Sequence, residues 1–310
     1  MCGKKWNLIL NNLKSEHNAL DNLVSGKKVA FLDMPCYFNV GDLLIYLGTE
    51  SYFSNKAVNV IYRSDYKNIS HRKLREADVI IFQGGGNFGD LYPLLQSMRE
   101  KVVKKYHDKI IICLPQTIFF KNEQELKKSS LLFREHKNFH FYTRDSSSYE
   151  LAASFTDKRY LMPDMAHSLH PLKEVNEIRI EKVFPKILNL VRVDDECPSV
   201  KSQLLKRAFD WKDIISNEDK LSLLLYSFLV KIDQAKANRF WYNTCNQILF
   251  KSVNYFDQHD IVYTDRLHGL ILAVLLGKEI KLYDNSYGKN SGYYNQWLSG
   301  MENISCKFDE

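Results

Sequence analysis

The sequence predicts an α/β fold of two Rossmann-like units facing a cleft, and three observations carry that reading. From Lys27 onward, short β-branched or apolar runs alternate with longer amphipathic segments, the pattern of a parallel sheet covered by helices. The runs Val79-Ile80-Ile81-Phe82 and Ile110-Ile111-Ile112-Cys113 are apolar without alternation, as strands buried on both faces are. The pattern then restarts at Ile187-Leu188-Asn189-Leu190-Val191, so the 310 residues divide into units over 1–170 and 171–310.

In the first unit, strands are expected over 28–33, 58–62, 78–83, 109–115, 140–144 and 159–163. Helices are expected near 5–24, 42–54, 91–106, 123–135 and 146–154, and the unit ends around 166–171. The second unit follows its strand at 187–191 with long helical stretches to about 256. A strand at 260–264, a helix at 267–276 and a strand at 279–283 come next, and the last helix is expected to pack back on the first unit. The chain shows no internal repeat and no low-complexity tract.

Composition narrows the function classes. A formal charge of +6 is spread among acidic residues instead of gathering into a basic stripe, which argues against a nucleic-acid partner and suits a site for a small, multiply charged anion. Cys2, Cys36, Cys113, Cys197, Cys245 and Cys306 are far apart, with no C-x-x-C pair and no neighbouring His at ligand spacing. They read as reduced thiols, Cys36 and Cys113 as small core residues, and no metal is implied. The first ten residues lack the apolar stretch of a signal peptide, and no run of about 18 apolar residues occurs. A cytoplasmic protein without a transmembrane segment is therefore expected, with room for peripheral contact at the inner face of the membrane.

The residues suited to chemistry fall at predicted strand ends. Thr264-Asp265-Arg266-Leu267-His268-Gly269 stands where a buried strand turns directly into an apolar helix. Backbone N–H groups at such a start favour an anion, including around Leu267. Arg266 adds a planar, permanently charged fork, and His268 a proton donor. Asp265 can orient one of them or cap the helix. Gln83-Gly84-Gly85-Gly86-Asn87-Phe88-Gly89-Asp90 reads as a glycine loop whose backbone can approach a ligand, with Gly85, Gly86 and Asn87 on the donor side and Asp90 on the acceptor side. It is neither a dinucleotide fingerprint nor a P-loop. In Asn39-Val40-Gly41-Asp42, Asp42 can cap a helix or take a proton from a sugar hydroxyl, and Asn39 can bind the acceptor.

Smaller clusters follow the same placement: Pro115-Gln116-Thr117, Thr143-Arg144-Asp145, Pro163-Asp164 and Arg192-Val193-Asp194. Arg144 is the second cation expected for the donor, Gln116 an acceptor contact, and Asp145 the cap of the helix after it. His167 and His170 suit hydrogen-bonded structural roles. Lys289, after the last strand, is a point-charge phosphate binder or a plain surface lysine.

In this order and spacing, Asn39–Asp42, Gly84–Asp90, Pro115–Thr117, Thr143–Asp145, Arg192–Asp194, Thr264–Gly269 and Asp284–Lys289 resemble the polysaccharide pyruvyltransferase family. The resemblance runs from about residue 28 to residue 297, while 199–256 carries nothing diagnostic. It implies a fold similar to the GT-B glycosyltransferases, phosphoenolpyruvate as co-substrate in place of any cofactor, and a pyruvate ketal on a glycan sugar, free or lipid-linked. Members act on capsular, exopolysaccharide, cell-wall or glycoprotein sugars. The positions matching the donor site are Arg144, Arg266 and His268, with Leu267 nearby. His268 is then the general acid and Asp42 assists proton removal. A GT-B-type glycosyltransferase using a nucleotide sugar is the nearest alternative, and a non-catalytic binding protein on the same fold a more distant one.

Overall fold

The computed structural model describes residues 2–172, 184–191, 209–284 and 288–308. Arg192, Asp194 and the segment from Asn285 to Tyr287 lie outside the described residues, as does the Lys289 side chain.

The chain opens with α1 (Cys2–Glu16), a 3-10 turn (His17–Leu20) and α2 (Asp21–Val24), so the helix expected over 5–24 is one run broken into three. There follow β1 (Val29–Leu32), α3 (Val40–Asn55), β2 (Val60–Ser64), α4 (His71–Glu76), β3 (Val79–Phe82), β4 (Gly85–Gly89) and α5 (Pro93–Lys105). Next are β5 (Ile110–Phe119), α6 (Glu123–Arg134), β6 (Phe139–Thr143), α7 (Ser146–Ala152) and β7 (Arg159–Leu161). The strands form one sheet in the order β2-β1-β3-β5-β6-β7, with β4 also beside β5, and every pairing is parallel. The front of β5 pairs with β3 over Ile110–Cys113 and its far end with β4 around Gln116–Phe119, so β4 continues the line that β3 leaves.

That placement corrects the glycine loop of the sequence reading, since Gly85–Gly89 is a strand. The glycines serve close approach: a Cβ at Gly89, where φ is +131°, would meet the Phe119 carbonyl oxygen.

A second parallel sheet holds β8 (Ile187–Leu190), β9 (Ile261–Thr264), β10 (Glu279–Tyr283) and β11 (Ile304–Lys307) in the order β11-β10-β9-β8. Strand β11 escapes sequence reading because four residues, Ile-Ser-Cys-Lys, are too few and too polar to register. The accompanying helices are α8 (Asn217–Leu229), α9 (Gln234–Asp257), α10 (Leu267–Leu275) and α11 (Lys289–Tyr293), the last running on as a π turn over Tyr294–Leu298. No helix among the described residues is long and apolar enough to cross a membrane.

Both faces of the first sheet are covered, as its unalternating strands predict. Ala30, Ile80 and Phe82 point into a core with Phe88, Phe133, Phe139, Phe141 and Phe155. Phe31, Val79 and Ile81 point the other way, into a core continuous with Leu190, Trp241, Val262, Leu270 and Ile280 of the second half. Helix α3 lies within that continuous core, which explains why Leu43, Leu44, Ile45, Tyr46 and Leu47 are all buried.

Polar ties cross the same junction. Trp241 Nε1 donates to the Pro35 carbonyl at 2.9 Å, and Trp6 Nε1 to that of Val274 at 2.9 Å. The last helix reaches back to the first half: Tyr293 Oη lies 2.9 Å from His167 Nε2 and accepts from the Asp164 N–H at 3.0 Å. Trp297 Nε1 donates to the Arg144 carbonyl at 2.8 Å.

Candidate functional site

The carboxyl ends of β1, β4, β6 and β9 point toward one cavity of about 610 Å³. Among its lining residues are Asn39, Asp42, Gly86, Asn87, Arg144, Arg266, Leu267 and His268, so the two candidate arginines and the histidine share one opening.

At its floor, Asp164 joins Arg144 to His268. Arg144, directly after β6, donates from Nη1 to Asp164 Oδ2 at 2.7 Å and from Nε to Thr117 Oγ1 at 2.9 Å. His268 Nε2 lies 3.4 Å from the same Asp164 oxygen and 3.5 Å from Arg144 Nη1. Asp164 is fully buried, which by itself would raise its pKa. The hydrogen bond and charge of His268, the charge of Arg144 and the Ala166 N–H outweigh burial and hold this carboxyl well below the usual carboxylate range. An anionic carboxylate thus lies against both groups, an arrangement able to orient an imidazole and a guanidinium.

Arg144 keeps its other terminal nitrogen free of these ties. That nitrogen lies 3.0 Å from where a Cβ on Gly86 would stand, so the missing side chain lets the guanidinium reach the cavity beside the glycine strand. Asp42 sits in the first turn of α3. The helix cap is Asn39, whose Oδ1 accepts from the Gly41 N–H at 3.0 Å, so the capping role left open for Asp42 belongs to Asn39. Burial raises the Asp42 pKa, opposed by the charge of His268, the Tyr37 hydroxyl and the charge of Arg144. A carboxyl moved upward in this way is better able to accept a proton than a free surface aspartate.

On the opposite wall, α10 begins at Leu267 with Arg266 in the capping position, and among the described residues no side chain caps its first N–H groups. The cap is therefore not Asp265, which is buried and whose carbonyl accepts from Asn290 Nδ2 at 2.7 Å. Arg266 Nη2 donates to Asp210 Oδ2 at 2.9 Å, and its Nε is buried without a protein partner among the described residues.

Other predicted site residues are placed elsewhere. Gln116 is fully buried, and its Nε2 donates to the Gln83 carbonyl at 2.8 Å and to Asn87 Oδ1 at 3.2 Å; it braces the glycine strand from behind. Gly85 packs on Ile45 beneath the cavity. The Asp90 carboxylate accepts from the N–H groups of Lys121 and Asn122 at 2.8–2.9 Å and fastens the turn before α6. Asp145 caps α7 through the Ser148 N–H at 2.8 Å. His167 and His170 are buried, the first against Tyr293 and the second edge-on to Trp6.

Sequence reading missed Tyr37, Tyr66, Tyr92 and Trp211 on the cavity wall. Trp211 opens a short 3-10 turn (Trp211–Asp213) in a stretch with no motif, and nothing local marks it as facing a site. Asp164 stood in a strand-end cluster, but its bridging role appears only in three dimensions.

Comparison with known proteins gives a consistent result. Residues 39–280 match the polysaccharide pyruvyl transferase family. The protein named "Putative pyruvyl transferase EpsO" of Bacillus subtilis (strain 168) is 35% identical over 291 residues, covering 91% of this chain and 89% of that protein. Pyruvyl transferase 1 of Schizosaccharomyces pombe is 29% identical over 302 residues, covering 91% and 73%. Among solved structures, the functionally uncharacterized protein KP1_0663 of Klebsiella pneumoniae superposes with a TM-score of 0.63 at 23% identity, over 96% of this chain and 99% of that one, a likeness of fold.

Proposed function

The chain belongs to the polysaccharide pyruvyl transferase family, and from that premise we propose that it moves pyruvate from phosphoenolpyruvate to a sugar of a polysaccharide or its lipid-linked precursor, forming a ketal. The observation that carries the proposal is the convergence of Arg144, Arg266 and His268 on one cavity, with the start of α10, which no side chain caps among the described residues, beside them.

Phosphoenolpyruvate carries a carboxylate and a phosphate on a three-carbon frame. Two guanidiniums, each already turned by a carboxylate partner, and a helix start present matched groups for those two anions. They supply the neutralising charge, so the reaction calls on no metal. His268 delivers a proton to C3 while a sugar hydroxyl, relieved of its proton by Asp42, attacks C2. The C2–O bond to phosphate then breaks with Arg266 taking up the leaving charge, and a second sugar hydroxyl adds to C2 and loses its proton, closing the ketal.

Two parallel sheets meeting at the cavity support two Rossmann-like units in a GT-B-like arrangement, with the acceptor on the side of residues 1–170 and the donor on that of 171–310. Asn39 and Asp42, both on the cavity wall, belong with the acceptor in this scheme. Gly86, Asn87 and Lys289 belong with the donor in this scheme. The site suits a cytoplasmic enzyme that meets a capsular or exopolysaccharide precursor at the inner face of the membrane.

Thermal shift with phosphoenolpyruvate and with nucleotide sugars tests the donor, because a ligand at 100 times its Kd stabilises by about 2.7 kcal/mol. Phosphate release that depends on an added sugar, with the sugar gaining one pyruvate ketal by mass spectrometry, tests the reaction. Stabilisation by nucleotide sugars alone would overturn it.

A further inference from the structure

The last helix grips the main chain beside three groups of the site, through side chains that do not line the cavity. Asn290, on α11, is fully buried, and its Nδ2 donates to the carbonyl of Asp265 at 2.7 Å and to that of Tyr283 at 2.9 Å. The first of these carbonyls belongs to the peptide that leads into Arg266, whose own N–H donates to Thr264 Oγ1 at 3.0 Å. Three residues on, the buried Tyr293 accepts at Oη from the Asp164 N–H at 3.0 Å. Four residues further, Trp297 Nε1 donates to the Arg144 carbonyl at 2.8 Å. Beside it, Ser146 Oγ donates to Gln296 Oε1 at 3.1 Å.

Side chains three and four positions apart leave one side of a helical run, so a single face of α11 and its π turn reaches both the floor of the cavity and its opposite wall. Each bond has a fixed direction. Carbonyl oxygens only accept, so the Asn290 amide nitrogen, with two hydrogens for two carbonyls, has one orientation. A peptide N–H and an indole N–H only donate, which makes Tyr293 the acceptor and Trp297 the donor.

We propose that Asn290, Tyr293 and Trp297 are positioning residues of one clamp, which fixes the separation between the Arg144 and Arg266 guanidiniums to match an anion with two charged groups on a three-carbon frame. This rests on the donor reading given above. The separation matters to a ligand held at both ends, whereas an anion with one charged group needs a single guanidinium and is indifferent to it.

Two conservative variants of the full chain test the clamp. Trp297→Phe and Tyr293→Phe each keep an aromatic ring in place and remove one polar atom, and both act at the Arg144 end. Each should raise the Kd for phosphoenolpyruvate about 10-fold by calorimetry, while the Kd for inorganic phosphate, titrated by phosphorus NMR, stays unchanged. A fold that had merely loosened would weaken both ligands alike. Amide exchange followed by mass spectrometry gives a reading that needs no ligand. Because the three side chains ride on one helical run, Trp297→Phe should speed exchange around Leu267 as well as around Arg144. Equal losses for the two anions, an unchanged Kd for phosphoenolpyruvate in both variants, or faster exchange around Arg144 alone overturns the clamp. If the wild-type chain binds no phosphoenolpyruvate while exchange still rises at both places, the clamp stands and the proposed donor falls.

Discussion

His268 stands on Gly41: a Cβ at residue 41 would lie 2.3 Å from the imidazole Nδ1. The first turn of α3 and the first turn of α10 approach this closely because one of them carries no side chain at the contact. The imidazole is thus wedged between Gly41 on one side and Asp164 on the other.

Gly41→Ala should therefore cut turnover without deleting any functional group. A displacement of about 1 Å at a catalytic group costs on the order of 10²-fold. Steady-state kinetics beside the Kd for phosphoenolpyruvate would check it, since the loss belongs mainly to kcat.

His268→Ala should lower kcat by about 10²–10⁴-fold, the usual yield of general acid catalysis. Arg144 keeps its partner Asp164 in that variant, so donor binding measured by calorimetry should change little. Full turnover in His268→Ala would remove the imidazole from the mechanism.

Arg266→Ala should instead weaken the donor. Hydrogen bonds to a charged group are worth about 1.5–3 kcal/mol, so the Kd for phosphoenolpyruvate should rise about 10- to 100-fold. Arg266→Lys should restore only part of this, because an ammonium cannot hold Asp210 and an anion with one planar fork.

Asp33 and Asp164 should give opposite signatures in stability against pH. Burial pushes Asp33 up to about 6 despite Arg99, so its contribution is full below about pH 4 and is lost as pH rises through 6. Asp33→Asn should erase that falling segment. Asp164 is held below its unfolded value, so its contribution is present above about pH 4 and is lost only as pH drops further. Asp164→Asn should cost about 3–5 kcal/mol at pH 7, with the deficit shrinking only in strong acid. Urea unfolding, read as variant minus wild type, would measure both. The subtraction matters because burial lowers His17 to about 4 and His167 to about 3, and their neutral forms lose stability as pH falls.

Asp90→Ala should lower Tm while leaving the KM for the acceptor unchanged. Its carboxylate is spent on the N–H groups of Lys121 and Asn122, which places the residue in loop anchoring. A raised acceptor KM at unchanged Tm would return it to the acceptor side.

The parts of this molecule that could be read in advance are those written in local pattern. Unalternating runs such as Val79–Phe82 signal strands covered on both faces, and the strand-to-helix turn at Arg266 follows from its neighbours. Glycine carried a double meaning: the run after Phe82 reads equally as a turn or as a strand in close contact, and only its pairing with β5 decides. The bridge from Asp164 to Arg144 and His268 was hidden because it joins residues 20 and 104 positions apart. For the same reason, Gln116 and Asp90, which look like cleft residues at a strand end, proved to be committed to neighbours that sequence does not reveal.

The bond from the Trp297 indole to the peptide of Arg144 spans 153 positions of chain. An indole on the closing helix is one of the tethers of the loop that presents a guanidinium to the cavity. A side chain outside the cavity lining thereby steadies the backbone of a residue inside it, so a change at residue 297 would be felt at the guanidinium.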